Sequence, residues 1–262
     1  MHSYLKQILD KKKQEVAALH TNEALTSARN IKFNYTGAFK AALQTDGLSV
    51  IAEVKRKSPS KGALATITDP IDLAERYAQG GASAISVLTD AFGFNGSIED
   101  LALIAAHVSC PVLRKDFVID ELQLVEATMR GASAALLIVA VLGDKTAKFI
   151  QSCHRFGLDA LVEVHNKDEL AIAIDAQADI IGVNNRNLET FEVDINNALD
   201  LYPAIPSEAV TIAESGIADA HIAQQFKTCG YDAVLIGEAL VRSDDPSQFI
   251  HQLRERGNDN TA

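Results

Sequence analysis

An eightfold alternation of strand-like and helix-like segments constrains this chain more than any other feature. From residue 48 onward, short apolar runs rich in β-branched residues alternate with amphipathic stretches of helical period. Such alternation predicts a parallel sheet with right-handed crossovers, and eight units in about 210 residues are typical of a closed (β/α)8 barrel. The predicted strands are 49–54, 83–88, 111–115, 134–139, 159–164, 179–183, 209–213 and 232–236. The predicted helices are 70–79, 98–107, 120–129, 144–156, 167–175, 195–201, 218–228 and 246–255.

A doubly wound open sheet is the rival fold for the same alternation. It would usually carry a glycine-rich phosphate-binding turn after the first strand. Here the strand 49–54 runs instead into a basic, Ser/Pro-rich loop that contains no such turn. The (β/α)8 barrel, an α/β fold, is therefore the expected architecture.

A helical extension precedes the barrel. Apolar residues recur at helical spacing over residues 5–19, which predicts an amphipathic helix, and a shorter helix is expected near 22–29. The run Lys11–Lys13 is expected on the exposed face of the first helix. We expect one domain over 1–262, with an extension at 1–47, the barrel at 48–256 and a disordered tail at 257–262. Whether the extension plugs the barrel bottom or covers a substrate stays open.

Composition limits the partners and the compartment. There are 24 Lys and Arg against 35 Asp and Glu, a net charge of −11, which argues against the broad basic face that nucleic acids require. The 3 cysteines lie far apart, so neither a disulfide framework nor a metal site follows, and a reducing cytoplasm is expected. No signal-peptide core or membrane-spanning run is present, so no membrane association is expected.

Charged residues recur at the ends of the odd-numbered strands. In the first strand, period-two alternation puts Glu53 and Lys55 on the face opposite Val50, Ala52 and Val54. Charges that face a barrel interior are costly unless they are paired or used. Alternate strands contribute to one interior layer, so these side chains should converge on one mouth and form an active site for an anionic substrate. The corresponding residues of the later odd strands are Lys115, Glu163, Glu214 and Ser215.

Seven motifs, in order along the chain, carry a family resemblance. They are IAEVKRKSPSKG (51–62), FNGS (94–97), VLRKDFVID (112–120), LVEVH (161–165), GVNNRNLETFEVD (182–194), IAESGI (212–217) and LIGEAL (235–240). Together they resemble indole-3-glycerol-phosphate synthase of tryptophan biosynthesis, in its monofunctional form. The resemblance implies ring closure, decarboxylation and dehydration of 1-(2-carboxyphenylamino)-1-deoxyribulose 5-phosphate, a carbon–carbon lyase reaction. It implies no metal and no organic cofactor.

The resemblance also implies roles for the charged residues. Lys115 matches the general acid that protonates the ketone during ring closure, which a lysine of lowered pKa could do. Glu163 matches the base of the dehydration step. Lys55 matches a second cation, which could act as an acid or bind the substrate carboxylate or phosphate. The remaining catalytic matches are Glu53, Asn184, Glu214 and Ser215, and the order of the proton transfers stays open.

Two groups of binding residues complete the resemblance. Phosphate is expected on backbone N–H groups after strands 7 and 8, with Lys55 nearby. These positions are Ser215, Gly216, Gly237 and Glu238, the last through its N–H rather than its carboxylate. The other implied substrate-binding residues are Ser58, Phe94, Phe117, Leu136 and Arg186. Arg186 could instead form a surface salt bridge with Glu189 or Asp194, and His165 is interpreted as a loop residue.

Other functions compete with this one. A different phosphosugar barrel, such as the neighbouring isomerase of the pathway, would need a Cys and Asp acid/base pair on strands 1 and 5, where Glu53 and Lys55 stand instead. A non-catalytic barrel that binds a phosphorylated ligand or a partner protein would not need a charged interior.

A monomer is expected, with weak homo-oligomerisation as the alternative.

Overall fold

Eight parallel strands close into a barrel in the computed structural model, which describes residues 3–59 and 61–255. Each strand pairs with the next along the chain, and the last pairs with the first. This confirms the predicted fold. The strands are β1 (Ser49–Val54), β2 (Ala84–Leu88), β3 (Val112–Lys115), β4 (Ala134–Ile138), β5 (Asp159–Val164), β6 (Ile180–Asn184), β7 (Val210–Glu214) and β8 (Ala233–Ile236).

A helix follows every strand, and each predicted boundary lies within two residues of the observed one. These helices are Pro70–Gln79, Ile98–His107, Glu121–Met129, Thr146–Arg155, Lys167–Asp175, Asn196–Leu201, Ala220–Cys229 and Pro246–Glu255. Three one-turn helices lie in loops after strands, at Ala91–Phe94, Val139–Leu142 and Glu238–Val241, and 3₁₀ turns lie at Gly143–Lys145 and Tyr202–Ala204. The sequence did not predict these, nor the small hairpin of Lys57–Ser58 and Gly62–Ala63 in the first loop.

Side-chain caps define where several helices begin. Asp69 accepts hydrogen bonds from the N–H groups of Ile71 and Asp72 just before Pro70. Asp120 and Gln123 form a reciprocal capping box at the start of helix Glu121–Met129. Such caps satisfy N–H groups that have no partner within the helix, so the boundaries could be predicted from the sequence.

The barrel interior changes from apolar to ionisable along the odd strands. Val50, Ala52 and Val54 pack outward against the helices, as the period-two alternation of side chains predicts. The inward residues of β1, β3, β5 and β7 are first Ile51, Leu113, Leu161 and Ile212. Two residues further along the same strands stand Glu53, Lys115, Glu163 and Glu214. The C-terminal end of the barrel is thus polar, whereas its centre is a packed apolar core.

The N-terminal extension contacts both ends of the barrel through different segments. It contains helices Ser3–Leu19, Glu23–Ala28 and Ala38–Leu43, of which the sequence predicted the first two. Phe39 and Leu43 of the third pack into the barrel interior, and the N–H groups of Phe39 and Lys40 donate to Asp159 at the start of β5. This third helix plugs the bottom, whereas the first lies beside the mouth.

Two further expectations for the terminal regions have different outcomes. Lys11 and Lys13 are exposed, but Lys12 is buried, so the expectation that the whole run is exposed is wrong. The residues 257–262, expected to form a disordered tail, lie outside those described. Within 3–59 and 61–255, no helix is long and apolar enough to cross a membrane.

Candidate active site

A cavity of about 680 Å³ opens at the C-terminal end of the barrel. All but one of the residues predicted to bind substrate or act in catalysis line it. They are Glu53, Lys55, Ser58, Phe94, Lys115, Phe117, Leu136, Glu163, Asn184, Arg186, Ser215, Gly216, Gly237 and Glu238. Glu214 does not line the cavity, because it is fully buried behind Lys115.

Charges of alternating sign cross the cavity floor. Lys55 Nζ lies 2.6 Å from Glu53 Oε1, and Glu53 Oε2 lies 3.4 Å from Lys115 Nζ. Lys115 Nζ also lies 2.7 Å from Glu214 Oε2. Lys115 therefore bridges two carboxylates and does not pair with the adjacent Asp116, whose partners are Lys12 and Arg114.

Gly182 provides the space in which Glu214 sits. A Cβ at this position of β6 would collide with Glu214 Oε1 and press on Leu161 Cδ1. Gly237 plays the same part for Glu53, since a Cβ there would collide with Glu53 Oε1. Each of these two glycines thus leaves room for one buried carboxylate inside the barrel, where a larger side chain would occupy the same space.

The pKa values of the buried groups follow from their pairing. Burial alone would lower the pKa of Lys115, but Glu214, Glu53 and Glu163 outweigh it and raise that pKa. The lowered pKa that would make this lysine a stronger acid is therefore not found, because its surroundings raise the pKa instead. Burial likewise opposes ionisation of Glu53, yet Lys55 and Lys115 lower its pKa.

Glu163 and Glu214 are two neighbouring buried carboxyl groups whose surroundings shift their pKa values in opposite directions. Burial disfavours the Glu163 carboxylate, but His165, Lys115 and Asn184 lower its pKa to about 2. Burial raises the pKa of Glu214 to about 7; Lys115 opposes this rise and the Glu163 charge adds to it. Glu163 is thus ionised across the neutral range, while Glu214 can exchange a proton near pH 7.

His165 lies in the loop directly after β5, as interpreted, and its side chain contacts Glu163 of the site. Its side chain is only 9% exposed, with Nε2 3.3 Å from Glu163 Oε1 and Nδ1 2.9 Å from Glu169 Oε2. Burial alone would lower its pKa, but the two glutamates raise it to about 10. His165 is therefore a fixed cation behind Glu163, and its position just past a strand end was the one signal in the sequence.

Asn184 and Arg186 shape the wall that follows β6. Asn184 Oδ1 accepts the N–H of Arg186 at 3.0 Å, and the Asn184 side chain also hydrogen-bonds Glu163. Arg186 Nη1 donates to the Phe191 carbonyl at 3.0 Å, and the arginine lines the cavity. The loop thereby directs an amide and a guanidinium at the cavity.

The loops after β7 and β8 form one end of the cavity. Ser215 has a left-handed φ of 64° and Gly216 a φ of 83°, a tight turn that begins immediately after Glu214. Glu238 turns its carboxylate to Lys61 Nζ at 2.7 Å and Arg242 Nε at 3.4 Å. Those two cations offset the acidic side chain at this end.

Aromatic and aliphatic side chains form the other end. The rings of Phe94 and Phe117 lie 6.3 Å apart, and Leu136 lines the cavity with them. The N-terminal helix adds three residues that were not predicted: Tyr4, Leu5 and Ile8. A Cβ on Gly93 would come close to Ile8 and Tyr4, so the helix occupies the space beside this glycine.

The described residues contain no cluster of three or more His, Cys, Asp or Glu side chains that could hold a metal ion. The expected absence of a cofactor remains a prediction.

Comparison with known proteins assigns the family. The family model described as indole-3-glycerol phosphate synthase matches residues 5–253. The chain belongs to this family. The protein of that name from Kineococcus radiotolerans is 52% identical over 80% of this chain and 77% of its own. The one from Mycobacteroides abscessus is 45% identical over 97% of this chain and 94% of its own.

Solved structures that resemble the synthase chain show the fold alone. A 3-hexulose-6-phosphate synthase superposes with a TM-score of 0.63 at 16% identity, covering 79% of this chain and 98% of that one. A thiamine phosphate pyrophosphorylase from Pyrococcus furiosus has a TM-score of 0.59 at 15% identity, covering 79% and 93%. The barrel is common to these proteins and the synthase family.

Proposed function

We propose that this chain is an indole-3-glycerol-phosphate synthase that closes, decarboxylates and dehydrates 1-(2-carboxyphenylamino)-1-deoxyribulose 5-phosphate. One observation carries the proposal: a row of ionisable side chains crosses the middle of the cavity. Aromatic and aliphatic side chains form one end of this cavity, and the glycine-containing turns after β7 and β8 form the other. The substrate has the matching order of parts: an aromatic ring, a reacting ketone and a phosphate. Family membership supports the same assignment.

Lys115 acts as the general acid of ring closure in this proposal. The aromatic carbon that bears the carboxylate bonds to the ketone carbon, and the ketone oxygen takes a proton. Three surrounding glutamates keep Lys115 protonated before the substrate arrives. Glu53 and Glu214 contact its ammonium and fix its direction, and CO₂ then leaves from the ring carbon.

Glu163 acts as the base of the dehydration step. Loss of the new hydroxyl as water requires a proton to leave the adjacent carbon, which makes the new five-membered ring aromatic. Glu163 is ionised at neutral pH and lines the cavity, so it is ready to accept that proton. Lys55 lies at the opposite end of the charged row, where it either protonates the departing hydroxyl or binds a substrate anion.

The phosphate is proposed to bind where the loops after β7 and β8 meet. Ser215, Gly216, Gly237 and the N–H of Glu238 would receive it there, with Ser58 of the first loop beside them. Phe94, Phe117 and Leu136 would contact the aromatic ring, and Asn184 and Arg186 the groups between. Because Lys61 and Arg242 offset the Glu238 carboxylate, an anion can approach this end.

The rival phosphosugar isomerase finds no support in the cavity. None of the described residues that line it is a cysteine, and the three cysteines lie elsewhere as free thiols. A non-catalytic barrel would not explain two lysines and three glutamates within one buried layer, since unpaired or unused charges there cost stability.

The purified protein, mixed with the proposed substrate, should produce a rise in indole fluorescence without added metal. Lys115→Ala and Glu163→Gln should each reduce kcat by about 10²–10⁴-fold, the usual contribution of a general acid or base. Lys148→Ala and Glu208→Gln, both on the surface, serve as controls. No product from folded parent protein would refute the function, whereas product formed at parental rates by both site variants would refute only the assigned roles.

We further propose that the chain works as a monomer in the cytoplasm. Its thiols are free, as a reducing compartment allows.

A further inference from the structure

We propose that Lys12 is a positioning residue that fixes the aromatic end of the cavity. The proposal rests on the proposed function for the identity of the ligand, but its structural part stands independently. Lys12 lies on the N-terminal helix, which supplies Tyr4, Leu5 and Ile8 to the cavity. It is the largest charged side chain that is fully buried in the described part of the chain, at 1% exposure.

The Lys12 ammonium joins three segments of the fold. Its Nζ lies 2.7 Å from Asp116 Oδ1, 3.1 Å from Asp90 Oδ1 and 2.5 Å from Glu15 Oε2. The ammonium hydrogen-bonds Glu15 and Asp116, whereas its contact with Asp90 is an ion pair, since Asp90 Oδ1 has no hydrogen-bond partner among the described residues. Asp90 follows β2 and Asp116 follows β3, so the lysine connects the N-terminal helix to two barrel loops.

Both aspartates hold backbone that carries a ring of the cavity. Asp90 accepts the N–H of Gly93 at 2.7 Å, in the turn that ends with Phe94. Asp116 accepts the N–H of Phe117 at 2.8 Å and stands next to Lys115. Movement of either carboxylate would therefore displace Phe94 or Phe117, the ring pair at this end of the cavity.

Attachment of the helix alone does not account for a buried lysine. Leu5, Ile8 and Leu9 are buried and already pack the helix against the barrel. Replacing buried ion pairs with apolar contacts is often neutral or stabilising, so such a cation is weak evidence for a purely stabilising role. Arg114 contacts Asp116, but Lys12 is the partner that bridges both aspartates. Without Lys12, two buried carboxylates would face one another, and the loops would move apart.

The test compares Lys12→Met with Lys13→Met, in which the lost lysine is 69% exposed. Lys12→Met should weaken binding of 2-aminobenzoate and raise the KM for the proposed substrate by about tenfold. Inhibition by inorganic phosphate, which is expected at β7 and β8, should stay unchanged, and kcat should fall far less than KM rises. Hydrogen exchange should accelerate in residues 3–19 and 88–97 but not in 33–43. Lys13→Met should match the parent in every measurement.

A rescue variant distinguishes charge from shape. Asparagine at position 90 can still accept the Gly93 N–H but carries no charge, so Lys12→Met/Asp90→Asn should recover much of the lost 2-aminobenzoate affinity. If Lys12→Met does not fold, the double variant should fold and show the intermediate KM. Failure of both to fold, unchanged exchange and KM in Lys12→Met, or equal losses for 2-aminobenzoate and phosphate would each overturn the proposal.

The exchange measurement needs no substrate. A parent protein that makes no indole product would therefore refute the function, while the exchange rates would still decide whether Lys12 holds the two loops.

Discussion

At the scale of single residues, two neighbouring carboxyl groups of the site have pKa values shifted in opposite directions by their surroundings. Glu163 and Glu214 both lie within reach of Lys115, yet their pKa values are about 2 and about 7. His165 contributes to this difference, because it contacts Glu163 and lowers the pKa of that carboxyl group. A base that is ionised and a neighbour that can hold a proton are suited to a reaction with several proton transfers.

Replacing His165 tests this arrangement. His165 lowers the pKa of Glu163, so His165→Asn should raise it, by roughly 1 unit or more. Protonation of Glu163 would then remove the base as pH falls through the raised pKa. The acidic limb of the profile of kcat/KM against pH should therefore move to higher pH.

The control for this prediction is His107→Asn, since His107 is exposed at the end of a distant helix. Its pH profile should overlay that of the parent. An acidic limb that does not move in His165→Asn would show that Glu163 is not the group that titrates.

The sequence predicted that the charged residues at the ends of the odd-numbered strands face one mouth but could not predict these pairings. Parity along β1 places Glu53 and Lys55 together because successive side chains alternate between faces. This alternation does not give the distance between side chains on different strands, however, and pKa values depend on that distance and on burial. For that reason the sequence could not show that the surrounding glutamates raise the Lys115 pKa, or that the His165 side chain pairs with Glu163.

At the scale of elements, a glycine in β6 decides whether a carboxylate on β7 can enter the barrel. Gly182 pairs with Ile212 in the register, and Glu214 lies two residues further along β7. The absent side chain of Gly182 is the space that Glu214 occupies. The glycine is visible in the sequence, but only the packing of β6 against β7 shows that it leaves space for the Glu214 side chain.

Gly182→Ala should therefore reduce activity without unfolding the barrel. The added methyl group would displace Glu214 and with it Lys115, and a displacement of about 1 Å can reduce the rate about 10²-fold. Steady-state kinetics and a urea unfolding curve measured on the same variant would separate the two effects.

Gly143→Ala provides the matched comparison. A Cβ there meets nothing within 4 Å, but its φ of 51° with a ψ of −130° is a conformation that essentially only glycine adopts. The substitution should therefore cost about 1–3 kcal/mol of stability and leave kcat near the parental value. Parental activity in Gly182→Ala would contradict the assigned space for Glu214.

At the scale of the whole molecule, stability and chemistry lie at opposite ends of the barrel. The N-terminal end is closed by helix Ala38–Leu43, which Asp159 holds through two backbone N–H groups and the Tyr35 hydroxyl. The C-terminal end contains the charged cavity. This division is general among (β/α)8 barrels, in which loops after the strands carry the active site.

Asp159→Ala should therefore lower stability and leave catalysis intact. Removal of the buried carboxylate leaves a hydroxyl and two N–H groups without their acceptor, at a cost of about 2–4 kcal/mol. Urea denaturation should show a lower midpoint, while kcat of the folded variant should remain close to that of the parent.

Asp179→Ala is the control at this end. Asp179 also contacts the plug, through Lys40 at 3.0 Å, but half of its side chain is exposed. Surface pairs contribute about 0–1 kcal/mol, so its unfolding midpoint should barely change. A large fall in kcat for Asp159→Ala would show that the plug affects the active site across the barrel.

The sequence by itself determined the strand and helix order, the closed barrel and the set of side chains that face its mouth. These follow from periodicity, capping residues and parity, which are local properties of the chain. Only the tertiary structure decided which charges pair, that Lys12 and His165 are buried cations, and that the N-terminal helix forms a wall of the cavity. Those features depend on distances between segments far apart in sequence, because both Coulomb energy and desolvation are set by the surrounding fold.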